Sequence, residues 1–444
     1  MPRARYKLVV DRLAADINNG HLPPGTRLPT HRQLAVEHGV ALATATRIYA
    51  ELERMGLVSG ETGRGTFVRE TALPTGLGID QQAPSPDMLD LNFNYPVLPG
   101  QANLLRKALR ELAMAGDMQA LLRYQPHAGR PQERQAVAAH LLDRGLNISA
   151  DNVLLVSGAQ HGLAITAMAL LRPGDVIAVD ALTYSGFKVL ADTYRLELAA
   201  IPVAGNGPDL NALRQLCKTR RVRALYCMPT LHNPLGWVLD LATREQLVAI
   251  AREHELLIIE DAAYAFLASD PPLPVAALAP ERTVYISGFS KSLATGLRVG
   301  FVTAPAAWVP ALERSIRATT WNTPSVMTAI ACRWLEDGTV AQLEADKRRD
   351  AAQRQAIARQ VLDGLPLVGH PSSYFIWLPL GEDVRADQVA MALLQEGISV
   401  STADPFCTSA QVPHALRLAL GSLALDELPQ ALQRIKSVIA RYTY

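Results

Sequence analysis

The sequence predicts a multidomain chain. A small, mostly α-helical unit closed by a hairpin comes first, then a large α/β domain with a mainly parallel sheet and a smaller α+β lobe at its C-terminal end. Three observations predict this. The 444 residues exceed what one ordinary core holds. The first 70 carry helical periodicity and then two short β-prone runs around a glycine-rich turn. From about residue 90, continuous apolar runs alternate with helical stretches, the pattern of a parallel sheet covered on both faces.

"YKLVVDRLAADINNG" places Leu8, Val9, Leu13 and Ile17 on a helical stripe and stops at Gly20. After the turn-rich "HLPPGTRLPT", Thr30 is the expected N-cap of "HRQLAVEHG". A third helix is expected from about Leu42 to Met55, and "LVSGETGRGTFV" forms the hairpin. This is the layout of a winged helix-turn-helix, here given residues 1–70, whose second motif helix enters the DNA major groove. Ala43, Thr44, Thr46 and Arg47 would then meet base edges. Arg27, Arg32 and Arg64, with Gly65 in the wing, lie where phosphates would be met. "LPTHRQLA", "GVALATATRIY" and "GRGTFV" resemble, in that order, the turn, recognition helix and wing of the GntR winged-helix family. The resemblance implies a double-stranded DNA operator as partner. Leu42 stands where many members have arginine, so the operator sequence does not carry over; a leucine suits a thymine methyl.

Residues 71–88, "TALPTGLGIDQQAPSPDM", have proline, glycine and no periodicity, a linker composition. The body follows from residue 89 to residue 444. "VLLVS", "DVIAVD", "RALYCMP", "LLIIED", "TVYISG" and "LRVGFVT" read as its strands. A long polar helix between Gly338 and Gly364 opens the small lobe, assigned to about residues 340–444.

At the ends of those strands stand residues that together suit pyridoxal 5'-phosphate, which needs an amine, an acid, a phosphate cradle and a flat cover. A lone lysine after an apolar run reads as a solvated surface residue, but here the companions are present. Lys291 in "FSKSLATGLRVG" supplies the amine for a Schiff base, and Asp261 in "LLIIED" can keep the pyridine nitrogen protonated. Ser157, Gly158, Ala159 and Gln160 open a helix after a strand, an anion site of backbone N–H groups. Arg298, with Ser290, offers charge to the same phosphate. Tyr184 can cover the ring, and Asn233 and Tyr264 can each hydrogen-bond the phenolic oxygen. The four cysteines are scattered without CxxC or similar metal spacing, so no metal site is expected and they read as free thiols of a reducing compartment.

"SGAQHGL", "TYSG", "HNPLG", "IIEDAAY" and "FSKSLATGLRVG" resemble, in order, the site segments of the fold-type I aminotransferases. The resemblance implies that Arg417 in "LRLAL" grips a substrate carboxylate and that Tyr124 in "YQPHAG" reaches the cofactor phosphate of a neighbouring subunit. Two departures stand out. Gly288 replaces the Ser or Thr common three residues before the lysine, with Ser287 or Ser290 as substitutes, and no proline precedes Tyr184.

Head, linker and body together resemble the MocR subgroup of GntR regulators. That implies a homodimer that binds DNA through its heads and senses a small amino compound by Schiff-base exchange at Lys291. The alternatives are a working aminotransferase with a secondary DNA-binding head, and a sensor of the cofactor itself. The formal charge of +1 leaves any DNA affinity to a local patch. Charges run through the first apolar residues and no run of about 18 apolar residues occurs, so the expected location is the cytoplasm, without a membrane span.

Overall fold

The computed structural model describes residues 5–442 except 20, 24–25, 56, 62–64, 69–87, 116–117, 382–383 and 410–411. Gly20, Arg64 and all of the expected linker but Met88 therefore lie outside the described residues. Two compact units result, one of residues 1–80 with 409–413, the other of residues 81–408 with 414–444.

The first unit has α1 (Arg5–Asn18), α2 (His31–His38), α3 (Leu42–Arg54), β1 (Val58–Glu61) and β2 (Gly65–Val68). Val9, Val10, Leu13, Ala14 and Ile17 of α1 pack on Leu34, Ala45, Ile48 and Leu52. Leu8, expected in that stripe, is 38% exposed; the buried face is set by i, i+3 and i+4 neighbours running from Val9, and Leu8 falls outside it. A capping box starts α2: Gln33 N donates to Thr30 Oγ1 at 3.3 Å, and Thr30 N donates to Gln33 Oε1 at 2.9 Å. Gly39, at φ 57°, ends it and turns the chain into α3. β1 and β2 pair antiparallel, and the backbone of residues 26–28 joins their edge through Leu28 N to Thr66 O and Val68 N to Thr26 O.

In the second unit the strands are β3 (Leu89–Leu91), β4 (Val153–Val156), β5 (Val176–Asp180), β6 (Glu197–Ile201), the small pair β7 (Val203–Ala204) and β8 (Gly207–Pro208), β9 (Val222–Cys227), β10 (Leu257–Asp261), β11 (Thr283–Gly288), β12 (Gly300–Thr303), β13 (Phe375–Pro379), β14 (Ile398–Thr402) and β15 (Ala415–Ala419). The main sheet runs β4-β12-β11-β10-β9-β5-β6. β9, β10 and β11 pair in parallel, as do β9, β5 and β6. β12 is antiparallel to both neighbours. The reason is length: residues 289–299 hold no crossover helix, and a parallel return needs a dozen or more residues. The strands are buried along nearly their whole length, with the helices Ala159–Leu170, Ser185–Thr193 and Leu241–Glu253 among their covers.

The smaller sheet has the order β13-β15-β14-β3. The small lobe therefore does not consist of residues from about 340 alone. β3, the first described strand of the unit, pairs in parallel with β14, Leu89 with Ile398 and Leu91 with Val400. The long helix Thr339–Val361 packs on this lobe, and its polar face in sequence hides buried Glu344, Lys347, Arg354 and Gln355.

Candidate functional site

Asp261 closes β10 and is buried. Its Oδ2 accepts the Tyr226 hydroxyl at 2.8 Å and its Oδ1 accepts Ala263 N–H at 3.0 Å. Burial pushes the carboxyl upward, and these two bonds pull it back. Neither donor is cationic, so a protonated ring nitrogen is the partner that would favour its charged form. Tyr226 escaped sequence reasoning because it sits in an apolar strand. The available signal was chemical: a buried tyrosine needs a partner for its hydroxyl. Its ring stacks on Phe187 with centroids 3.9 Å apart and planes 4° off parallel.

The phosphate-type cradle is made where β4 turns into the helix Ala159–Leu170. Gly158 has φ 89°, and a Cβ there would lie 2.6 Å from Arg298 Nη2. Arg298 itself donates through Nη1 to Ser290 Oγ at 3.0 Å and through Nη2 to the Ser157 carbonyl at 3.3 Å. Two expected donors are already spent. Ser157 N donates to His161 Nδ1 at 3.1 Å and Gly158 N to the Val156 carbonyl at 2.8 Å. The cradle falls to the first-turn N–H groups from Ala159 onward, which have no acceptor within the helix. Gln160 gives its amide to the Gly186 carbonyl at 2.9 Å and ties the cradle to the Tyr184 turn. His161, a second residue missed in the sequence, also meets Thr319 Oγ1 at 2.8 Å, and burial pulls its imidazole below the usual range.

Gly288 has a packing reason. A Cβ there would lie 3.1 Å from Val299 O and 3.4 Å from Ala159 N, against the cradle backbone. Of its two suggested substitutes, Ser287 donates to the Ala262 carbonyl at 3.1 Å, whereas Ser290 stands on Arg298.

Lys291 follows β11, half-buried, with Nζ 2.9 Å from the Asn94 carbonyl and 5.9 Å from the centre of the Tyr264 ring. Burial and then the neighbouring charge of Asp261 and the Tyr264 phenol raise the Tyr184 phenol, while Arg298 and Arg417 pull it down. Those five side chains, from β10, the residues after it, the loop before β12, β15 and the start of the helix Ser185–Thr193, thus converge on one place. Asn233 is buried beyond β9, in a cis bond to Pro234, and its Oδ1 has no hydrogen-bond partner. An unpaired buried amide atom costs free energy, so a hydrogen-bonding ligand is what completes it.

Arg417 lies on β15 opposite Trp377 and Ser401. It is buried, its Nη1 donates to the Asn92 carbonyl at 2.8 Å, and its Nε has no partner. Phe375 and Phe406 flank the guanidinium at 5.0 and 5.6 Å. Burial pulls it down, opposed first by the Tyr264 phenol. Among the ion pairs of the described residues it has no carboxylate, and a bidentate carboxylate would match its fork. A carboxylate without a cation, a cation without a carboxylate, an unpaired amide and an anion cradle beside Lys291 fit pyridoxal phosphate together with a ligand that bears a carboxylate.

Tyr124 stands apart from these residues, 83% exposed, with its ring 5.3 Å from that of Trp321. In the first unit Arg27, Arg32, Ala43, Thr46 and Arg47 are exposed and Thr44 is partly so. Gly65 leaves room for Arg27, whose Nε would be 2.9 Å from an added Cβ. Two of the expected base-contacting side chains have partners of their own. The Thr46 hydroxyl donates to the Leu42 carbonyl at 3.1 Å, and the Arg47 guanidinium lies 4.3 Å over the Tyr6 ring.

Comparison with known proteins agrees with both units. Residues 86–435 match the family model described as aminotransferase class I and II, and residues 5–68 match that of bacterial regulatory proteins of the gntR family. The uncharacterized HTH-type transcriptional regulator YdeF of Bacillus subtilis is 27% identical over 439 residues, 98% of this chain and 94% of that protein. The uncharacterized HTH-type transcriptional regulator YjiR of Escherichia coli is 26% identical over 98% of this chain and 99% of its own length. Among solved structures, an archaeal alanine:glyoxylate aminotransferase superposes with a TM-score of 0.75 at 23% identity, covering 80% of this chain and 91% of that one, which shows the fold.

Proposed function

Because the chain belongs to the class I and II aminotransferase family and carries a gntR-family head, we propose that it is a pyridoxal-phosphate-dependent transcriptional regulator whose body senses an amino compound at Lys291. The observation that carries the reading is the pairing of a buried, carboxylate-free Arg417 with Lys291 in one site, on a chain whose relatives along nearly their full length are HTH-type regulators.

When bound, the cofactor supplies a carbonyl carbon that an amine ligand can take over from Lys291. The chain's own residues do the rest. Asp261 would hold a proton on the ring nitrogen, Arg298 and the helix start at Ala159 would hold the phosphate, Tyr184 would cover the ring, and Asn233 and Tyr264 would meet its phenolic oxygen. Arg417 orients the ligand carboxylate. A ligand that favours one arrangement of the body over another shifts the DNA-binding population by that difference in affinity. Two chains, with Tyr124 reaching across, would present two heads to half-sites spaced about 34 Å or a multiple of it. A DNA partner puts the protein in the cytoplasm; among the described residues no helix is long and apolar enough to cross a membrane.

Titration onto duplex DNA from its own upstream region at rising salt tests the reading. The affinity should be sequence-selective and fall by about one log unit per decade of salt for each phosphate contact. A second reading, a working aminotransferase, is favoured by the same Asp261, Lys291 and Arg417. Steady turnover of an amino acid with a 2-oxo acid, without selective DNA binding, would establish it instead.

A further inference from the structure

Three cations from three elements share one short segment. Arg417 Nη1 donates to the Asn92 carbonyl at 2.8 Å, Lys291 Nζ to the Asn94 carbonyl at 2.9 Å and Lys347 Nζ to the Pro96 carbonyl at 2.8 Å. Lys347, from the helix Thr339–Val361, is wholly buried. Its other donors go to the carbonyls of Lys291 and Leu293 at 3.0 and 2.8 Å, which uses all three hydrogens of an ammonium. Among the ion pairs of the described residues it has no carboxylate, and burial, then the charge of Lys291, pull it down to about 7. A buried charge is costly unless hydrogen-bonded, so these three carbonyls are what keep it there.

The other edge of the segment is latched to the small lobe. The Ser401 hydroxyl donates to Asn92 Oδ1, Gly421 N to Asn94 Oδ1 at 3.1 Å, and Tyr95 N to Ser422 Oγ at 3.0 Å. Residues 92–96 therefore have a fixed side and a side held by charges. Two of those charges belong to the residues assigned above to cofactor and ligand.

We propose that residues 92–96 carry the state of the site outward, with Lys347 as the positioning residue that fixes the segment, Lys291 as a hold that bonding to the cofactor releases and an amine ligand restores by freeing the lysine, and Arg417 as a hold that a ligand carboxylate releases. The inference rests on the assignment of Lys291 and Arg417 in the proposed function. Condensation of the Lys291 ammonium with an aldehyde forms a C=N bond and releases one water and one proton, so no ammonium remains to hold Asn94. A carboxylate on Arg417 competes with the Asn92 carbonyl for the same fork. In the chain, only β3 separates this segment from residues 71–88, so a change here lies next to the stretch that leads to the head.

Deuterium uptake by residues 89–96 of the full chain, followed by mass spectrometry below pH 7 where Lys347 keeps its proton, tests the proposal. The samples are wild type, Lys291→Ala and Lys347→Met, each with and without pyridoxal phosphate, and visible absorbance of the same samples reports bonding to Lys291. In wild type the segment should exchange about tenfold faster once the band appears, the loss of one charge-assisted bond. Lys291→Ala should exchange fast throughout and not respond. Lys347→Met should form the band yet exchange fast with or without cofactor. A wild-type band with unchanged uptake, or a Lys291→Ala response equal to that of wild type, overturns the proposal, and these two proteins decide it even if Lys347→Met does not fold. Absence of any band overturns the cofactor reading and this proposal with it.

Discussion

In the body, Arg244, Lys347, Arg354 and Arg417 are buried and donate to backbone carbonyls, Arg354 also to the Asp350 carboxylate and Arg244 to the Thr230 hydroxyl, whereas in the head Arg27, Arg32 and Arg47 stand exposed on the turn, α2 and α3. The difference separates two uses of charge. A buried cation has lost its hydration and must be held by fixed acceptors, so it can shape a loop or wait for one anion. An exposed arginine keeps its water and counterions and gains by releasing them to a polyanion, a gain that salt erodes. Substitutions in the body should therefore have large effects that salt hardly changes. Those in the head should be small and salt-sensitive.

The sharpest contrast is expected at Asp261. Asp261→Asn removes the charge that would pair with a ring nitrogen and should weaken pyridoxal phosphate binding about 100-fold or more, measured by titrating the visible band. Arg417→Gln should leave that band intact and weaken its response to carboxylate-bearing amines by about tenfold or more, at low and high salt alike. A strong salt dependence of this loss would break the comparison.

A pH measurement probes the body's burial directly. Burial, then Arg144, pull His140 down to about 4. A base whose folded value is depressed contributes stability that is present above its unfolded value of about 6.5 and is lost as pH falls. The His140 contribution to the thermal stability of the body should thus be lost between about pH 6.5 and 4, so the difference between wild type and His140→Gln should change across that range. The smallest effect belongs to the head. Arg32→Ala should lower DNA affinity a few-fold and reduce the salt slope by about 1, with the visible spectrum unchanged.

Much of this organisation is legible in the sequence because it is local. The Thr30 cap and the strand-end motifs each lie within a few residues, and local chemistry fixes them. What escaped is non-local. β3 is only three residues long, and its pairing with β14 is decided by a fold that brings residues 89 and 398 together. Lys347 reads as one more charge on a polar helix, and its burial follows from packing. The Asn92, Asn94 and Pro96 carbonyls cannot be singled out, since every residue has one. The spent N–H groups of Ser157 and Gly158 were invisible for a related reason: the motif names the residues of a cradle without saying which donors the backbone has already used.

The central claim is that Lys291 anchors a pyridoxal cofactor in a body built to hold it. The visible spectrum of purified wild type and Lys291→Ala, each mixed with pyridoxal phosphate and then reduced with borohydride, tests it most directly. Wild type should show a band that becomes a cofactor adduct on the Lys291 peptide, and Lys291→Ala should show neither. The same band in both proteins, or an adduct on another lysine, would contradict it.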